Sequence, residues 1–478
     1  MRELIRAVDE GRGGAGWELA DHLLGVAAGP PEAAERALDG LADVTPRTWL
    51  RLDVALRSWW AYGRTGPEGA GARGAGALGA LVAACSGDGR RREAALTRAC
   101  METDPRLLPV LVIRTADWVR PVRERARAVL ARALAEPPTL PAVGVALAMR
   151  DWTRGGHAVE VMSEAMRDVH GARSAAHLPT RRLAYDLWLE DETLPTDAIV
   201  KAALDEPDPV ARLRCAERVA QGRDVRALQR LLGAKSVPVQ VAALTELVKL
   251  GHPEHGLPFM SANSAPLRAT AQWAARRAGV DPAVRYREPE ADAAGARGRV
   301  AGLGECGTAG DLALVEPYLG HARPRLRAEA VRAFHRLGGP AATLAPMFVD
   351  PAPVVVRAVS RILRGEGGRV LPDRRLRHLL SAPGWPRHVR RAAFVLSAAR
   401  GSWPRVEADL LLLHSDDPEL AALGRSDLGA WLRTDAAKNY AVPRAETRRR
   451  VRELLASAEP VLGERNARTV RWYLGLDR

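Results

Sequence analysis

"HARPRLRAEAVRAFHRLGG", residues 321–339, carries two superposed patterns. Leu326, Ala330, Val331, Phe334 and Leu337 recur at three- and four-residue steps, the spacing of one apolar face of an α-helix. Around that face stand five arginines, two histidines and a single acid, Glu329. The first pattern is that of a packed helix. The second asks for either solvent or an anionic partner.

The same phrase recurs along the chain: a turn containing Pro or Asp, then Val or Leu, then Arg, then a small residue three positions on. It stands in "DWVRPVRERARAVLARAL" from Asp117, "DPVARLRCAERVA" from Asp208, "SVPVQVAALTELVKLG" from Ser236 and "NSAPLRATAQWAARRAG" from Asn263. It returns in "DPAPVVVRAVSRIL" from Asp350 and "GWPRHVRRAAFVLSAARG" from Gly384. Anchored on Arg123, Arg214, Gln240, Arg268, Arg327, Arg357 and Arg390, the gaps are 91, 26, 28, 59, 30 and 33 residues, mostly thirty or a multiple of it. Arg297 falls midway in the 59-residue gap with Val300 three positions on. Arg182 and, less well, Arg154 fill the 91-residue gap, and Arg92, Arg51 and Ala421 extend the series at both ends.

A period near thirty is that of a two-helix repeat. Apolar runs such as "DVRALQRLLG" (224–233), "DLALVEPYLG" (311–320) and "AATLAPMFV" (341–349) supply a first helix. The turn breaks it, and proline is tolerated where the second begins. Two short helices cannot bury their apolar faces alone, so neighbouring units must share a continuous core. Small residues at Ala126, Ala243, Ala271, Ala330, Ser360 and Ala393 permit the close approach. The expectation is an all-α, curved α-solenoid of roughly twelve helical pairs. An N-terminal helical cap with divergent repeats covers 1–80 and ends in the Gly-rich "TGPEGAGARGAGALG" (65–79), the repeat array covers 81–435, and a C-terminal helical cap covers 436–478.

On the Asp/Pro turn, the following Val/Leu-Arg and the small residue, as in Asp350 to Ser360 and Asp208 to Ala216, the chain resembles the HEAT-repeat superfamily. It is most similar to the short bacterial HEAT-like units also found in phycobilisome lyases. The resemblance implies an armadillo-type fold, and column arginines such as Arg123, Arg214 and Arg357 that pair with acids of the turns. It implies protein binding first, because the superfamily is one of scaffolds and adaptors, although it also holds lyase subunits and nucleic-acid binders.

Composition fits. Hydrophobic residues make up 47% and charged residues 27%, which excludes wholesale disorder, and aromatics are only 5%. Cys85, Cys100, Cys215 and Cys306 form no CxxC, so neither a zinc knuckle nor a disulfide framework is indicated, and a reducing cytoplasmic setting is expected. No run of 18 apolar residues and no apolar leader segment occurs, so no membrane association is expected.

The net charge of +14 is unevenly spread. Residues 321–400 hold 16 arginines against Glu329, Asp350, Glu366 and Asp373, a net of +12, leaving +2 for the other 398 residues. Beyond the column, the candidate anion-binding residues are Arg325, Arg332, Arg336, Arg361, Arg364, Arg374, Arg375, Arg377, Arg387 and Arg391. Spacings of four place pairs on one helical face, and arginine forks suit bidentate contacts to carboxylate or phosphate. Trp385 and His388 lie in the same tract and offer stacking surfaces.

Catalytic motifs are absent: there is no GxxxxGK[ST], GxSxG, HExxH or Rossmann glycine pattern. No catalytic residue, metal ligand or cofactor is expected. In "HPEH", His252, Glu254 and His255 could suggest a metal site, but Pro253 and Pro258 place the segment in an inter-repeat turn, which reads as a solvated loop. A protein partner is the leading expectation. The alternative is a nucleic acid, in its sharpest form through a resemblance to alkylpurine DNA glycosylases, HEAT-like enzymes whose Trp and Asp flank the damaged nucleotide. Trp17 and Asp21 in "GWELADHLL" have that spacing, whereas "SWWAYGR" (58–64) has paired tryptophans and no acid at helical distance.

Overall fold

The structure is a computed structural model and describes residues 1–61, 76–169, 171–288, 295–366 and 370–475. Among the described residues every regular element is helical. Most of the Gly-rich stretch and the side chains of Trp59 and Trp60 lie outside them.

Each recurrent phrase forms a helix. These are Arg120–Ala133, Pro209–Gly222, Val237–Lys249, Ala265–Arg277, Pro324–Arg336, Pro353–Gly365 and Arg387–Ala398. The interpolated unit at Arg297 is the helix Ala296–Cys306, and that at Arg182 is Leu178–Leu189. Arg154 precedes the helix Gly156–Ala165 instead of lying in it. Turn aspartates satisfy the first free N–H groups: Asp208 accepts from Ala211 N at 3.0 Å and Asp350 from Ala352 N at 2.8 Å. At the other end of Pro324–Arg336, Gly338 adopts φ +90°, and Gly339 N donates to Phe334 O at 2.9 Å, closing the helix with a left-handed cap.

The first helices depart from expectation in two repeats. Residues 311–320 and 341–349 form one α-turn each, Leu312–Val315 and Ala341–Leu344, followed by 3-10 turns Glu316–Gly320 and Ala345–Val349. Pro317 and Pro346 lie inside these runs. A proline there removes a donor and clashes with the preceding turn, so only the tighter 3-10 geometry continues.

The chain forms two compact units, Met1–Ala243 and Leu244–Arg478. In the first, a continuous core runs from Val8 through Trp49, Leu81, Leu111 and Leu130 to Met162. In the second, the helix Ala296–Cys306 packs on Pro324–Arg336, that on Pro353–Gly365, and that on Arg387–Ala398. This is nearest-neighbour packing of a repeat. The small residues named above are all buried. A further apolar cluster joins Trp403, Trp431 and Leu428 to Val451, Leu455 and Val470 of the helices Ala445–Leu462 and Glu464–Leu474. No helix among the described residues is long and apolar enough to cross a membrane.

Candidate functional site

Arginine does two different jobs in this protein. The first is structural and repeats along the chain. Arg92 directs Nε and Nη2 at Asp117 at 2.9 and 3.0 Å, while its Nη1 donates to Ser86 O and Gly87 O at 2.8 and 3.0 Å. Arg327 repeats the arrangement with Asp350 at 2.9 and 2.8 Å and with His321 O and Ala322 O at 2.8 and 3.0 Å. Arg182–Asp208, Arg287–Asp311 and Arg390–Asp416 extend the ladder. Arg92 and Arg327 thus bind the carbonyls of their own turn and the carboxylate of the next, locking successive repeats together. Arg182 holds the Asp208 carboxyl down to about 2, and Arg287 does the same for Asp311.

The column residues expected to join this ladder divide. Arg123 donates to Asp117 O at 2.7 Å, and Arg214 pairs back to Asp186. Arg357 does not join. Arg327 meets Asp350 in the turn that follows its helix, whereas the corresponding turn after Arg357, residues 381–386, contains no acid, and Arg357 is exposed.

The second job belongs to arginines with no acid to hold. Of the candidate set, Arg332 pairs with Glu329 at 2.7 Å, Arg336 approaches Glu305 at 3.8 Å and Arg377 approaches Glu407 at 3.8 Å. Arg387 is held by Asp417 and Glu419, each at 2.5 Å. Arg375 stacks over Trp385, 5.4 Å from the ring centroid, and His378 meets the same ring edge-on. His388 is bound to Asp350 O at 3.1 Å. Trp385 and His388 are therefore both engaged within the fold.

Arg325, Arg361, Arg364, Arg374 and Arg391 make no hydrogen bond or ion pair with another described residue, and all are exposed. Arg357 joins them. Arg357, Arg361 and Arg364 stand at i, i+4 and i+7 of the helix Pro353–Gly365, which contains no acid, so they form one stripe about 10 Å long. Arg391 lies on the next helix packed against it. The nearest acid in sequence, Glu366, follows the helix and is exposed.

In the first unit a cavity of about 690 Å³ is lined by Arg12, Trp17, Arg47, Arg51, Val54 and His177, with a run of glycines from Gly11. Asp21 is not in this lining. Arg47 and Arg51 are turned toward the C-terminal carbonyls of the helix Arg2–Asp9, donating to Asp9 O and Val8 O at 3.1 Å each.

No protein-family model matches the chain, and no curated protein matches it. Among solved structures, Kap95p in complex with RanGDP, studied for nuclear import complex assembly, aligns at 13% identity and a TM-score of 0.36 over 96% of this chain. The chain spans 66% of that protein's length.

Proposed function

We propose that the protein is a non-catalytic, cytoplasmic helical-repeat scaffold that binds an acidic segment of a protein partner on the face formed by Arg357, Arg361, Arg364 and Arg391. One observation carries the reading: on a helix without a single acid, three exposed arginines share a stripe and none has a partner among the described residues, while Arg327, Arg332, Arg387 and Arg390 nearby are bound to carboxylates. Like charges at i, i+4 repel mildly. A carboxylate-bearing segment relieves that repulsion and accepts bidentate guanidinium contacts.

The surroundings favour a protein over a nucleic acid. Glu305, Glu329, Glu407, Asp417 and Glu419 interleave with the basic side chains and interrupt the positive field. A polyphosphate backbone needs a continuous basic track, whereas a partner with a few matched acids needs only the stripe. The test is binding of a fluorescent Glu/Asp-rich peptide and of a single-stranded oligonucleotide at several salt concentrations. Preference for the peptide supports the reading; preference for the oligonucleotide with a steep salt slope replaces it with the nucleic-acid alternative. Release of free base from alkylated DNA is the separate assay for the glycosylase form, whose expected aspartate, Asp21, lies outside the cavity that Trp17 lines.

A further inference from the structure

The segment His252–His255, expected as a solvated inter-repeat turn, is built on regular backbone. Pro253–Phe259 is a 3-10 helix packed on the helix Ala265–Arg277. Two backbone features fix its entry: Gly251 takes φ +92°, and His252 N donates to Leu247 O at 2.9 Å. Gly256 fixes its exit. A Cβ at Gly256 would stand 2.3 Å from the Ala274 Cβ, so the backbone approaches the helix more closely than any side chain would allow. Pro253 and Pro258 restrict φ on either side of Glu254 and His255, and Pro253 also restricts His252 before it, so the three are carried on a stiff turn.

That turn brings three ligand atoms together. His252 Nδ1 lies 3.3 Å and His255 Nε2 lies 3.6 Å from the same carboxylate oxygen, Glu254 Oε1, and all three ligand atoms lie within 4.8 Å of one another. An ion held tetrahedrally by bonds of about 2.0–2.1 Å has ligand-to-ligand edges of about 3.3–3.4 Å. Two of the three edges already approach that length. The rings are tilted by 49° with centroids 6.2 Å apart, so they converge on the carboxylate without stacking on each other.

We propose that His252, Glu254 and His255 form a binding site for a first-row divalent transition-metal ion of the zinc class. Two imidazoles and one carboxylate are the donor set of such ions, and calcium and magnesium prefer oxygen alone. The side chains keep 41%, 58% and 29% of their surface exposed in the order His252, Glu254, His255, so the ion would be reached from solvent and would keep an open coordination position for water or a partner's side chain. Such a site lies in the same unit as the arginine stripe but needs nothing from it.

The experiment is calorimetric titration of the tag-free full chain with Zn²⁺, together with Co²⁺ absorption spectra and imidazole NMR of the wild-type protein. Saturable binding of one ion, visible-band absorption of bound Co²⁺, and zinc-induced shifts of the His252 and His255 ring resonances are expected. His252→Ala, His255→Ala and Glu254→Gln should each weaken binding by about tenfold or more, with the helical circular dichroism unchanged, while His335→Ala leaves it intact. No saturable binding, or one-site binding that survives in the double variant His252→Ala/His255→Ala, would overturn the site. The wild-type ring shifts decide the matter even if a variant misfolds.

Discussion

Arg327 grips Asp350, the acid of the next repeat's turn, with two parallel N–H···O bonds of 2.9 and 2.8 Å while holding two carbonyls of its own turn. The pair is nearly dry, with 13% and 9% of the side chains exposed. Removing one partner of such a pair leaves the other charge buried without compensation. Asp350→Ala is expected to lower stability by about 3 kcal/mol, measured by urea denaturation. Arg361→Gln, at an exposed and unpaired position, should change it by less than about 0.5 kcal/mol.

The ladder also sets an acid limit. Asp208 and Asp311 have carboxyls held down to about 2, against an ordinary value of 3.8. A group whose folded pKa is depressed contributes stability that is complete above its unfolded pKa and is lost as pH falls toward the folded one. Stability should therefore drop between about pH 4 and pH 2. Asp311→Asn should be less stable at pH 7 and show a shallower drop in that window, read from denaturation midpoints against pH.

Asp409 works in the opposite direction. It is fully buried, neither of its oxygens finds a partner, and burial first, then the neighbouring Asp427, pushes its carboxyl up to about 9. A raised folded pKa in an acid means that the native state holds the proton the unfolded chain gives up, so stability falls as pH rises from about 4 to about 9. Asp409→Asn should remove that slope and stabilise the protein at pH 8 by on the order of 2 kcal/mol. An unchanged pH profile in the variant would show that Asp409 is not the source.

Gly302 makes a close contact between repeats that a single substitution can test. A Cβ there would sit 2.1 Å from Tyr286 Cζ, in the ring whose hydroxyl donates to Met260 O at 2.8 Å. Gly302→Ala must displace that ring and should cost about 1–3 kcal/mol despite alanine's better helix propensity. The measurement is the shift of the thermal midpoint. An unchanged or higher midpoint would mean that the ring moves without penalty.

Much of this architecture is legible in residues 321–339. Leu326, Ala330, Val331, Phe334 and Leu337 are all buried, as the spacing requires, and Arg327 takes the ladder position. What escapes a linear reading is which letters meet in space. Arg357 carries the column's letter yet stands exposed and off the ladder. A charge count over 321–400 also overlooks acids that packing returns from neighbouring repeats: Glu305 to Arg336, Glu407 to Arg377, Asp416 to Arg390 and Asp417 to Arg387. The surplus that survives is densest as a stripe on the helix Pro353–Gly365, with Arg325, Arg374 and Arg391 on other helices. The convergence of His252, Glu254 and His255 depends on the 3-10 geometry between two prolines, which composition does not announce.

The most direct test of the arginine face is fluorescence anisotropy of a Glu/Asp-rich peptide titrated with wild-type protein and with Arg357→Gln/Arg361→Gln/Arg364→Gln. A second variant, Arg332→Gln/Arg387→Gln, removes arginines that already have acids. The stripe variant should bind at least about tenfold more weakly, and the paired-arginine variant should bind within about twofold of wild type, because guanidinium groups bound to carboxylates have less to offer a second anion. Equal binding by the stripe variant, or equal losses in both variants, would contradict the assignment of this face as the docking surface.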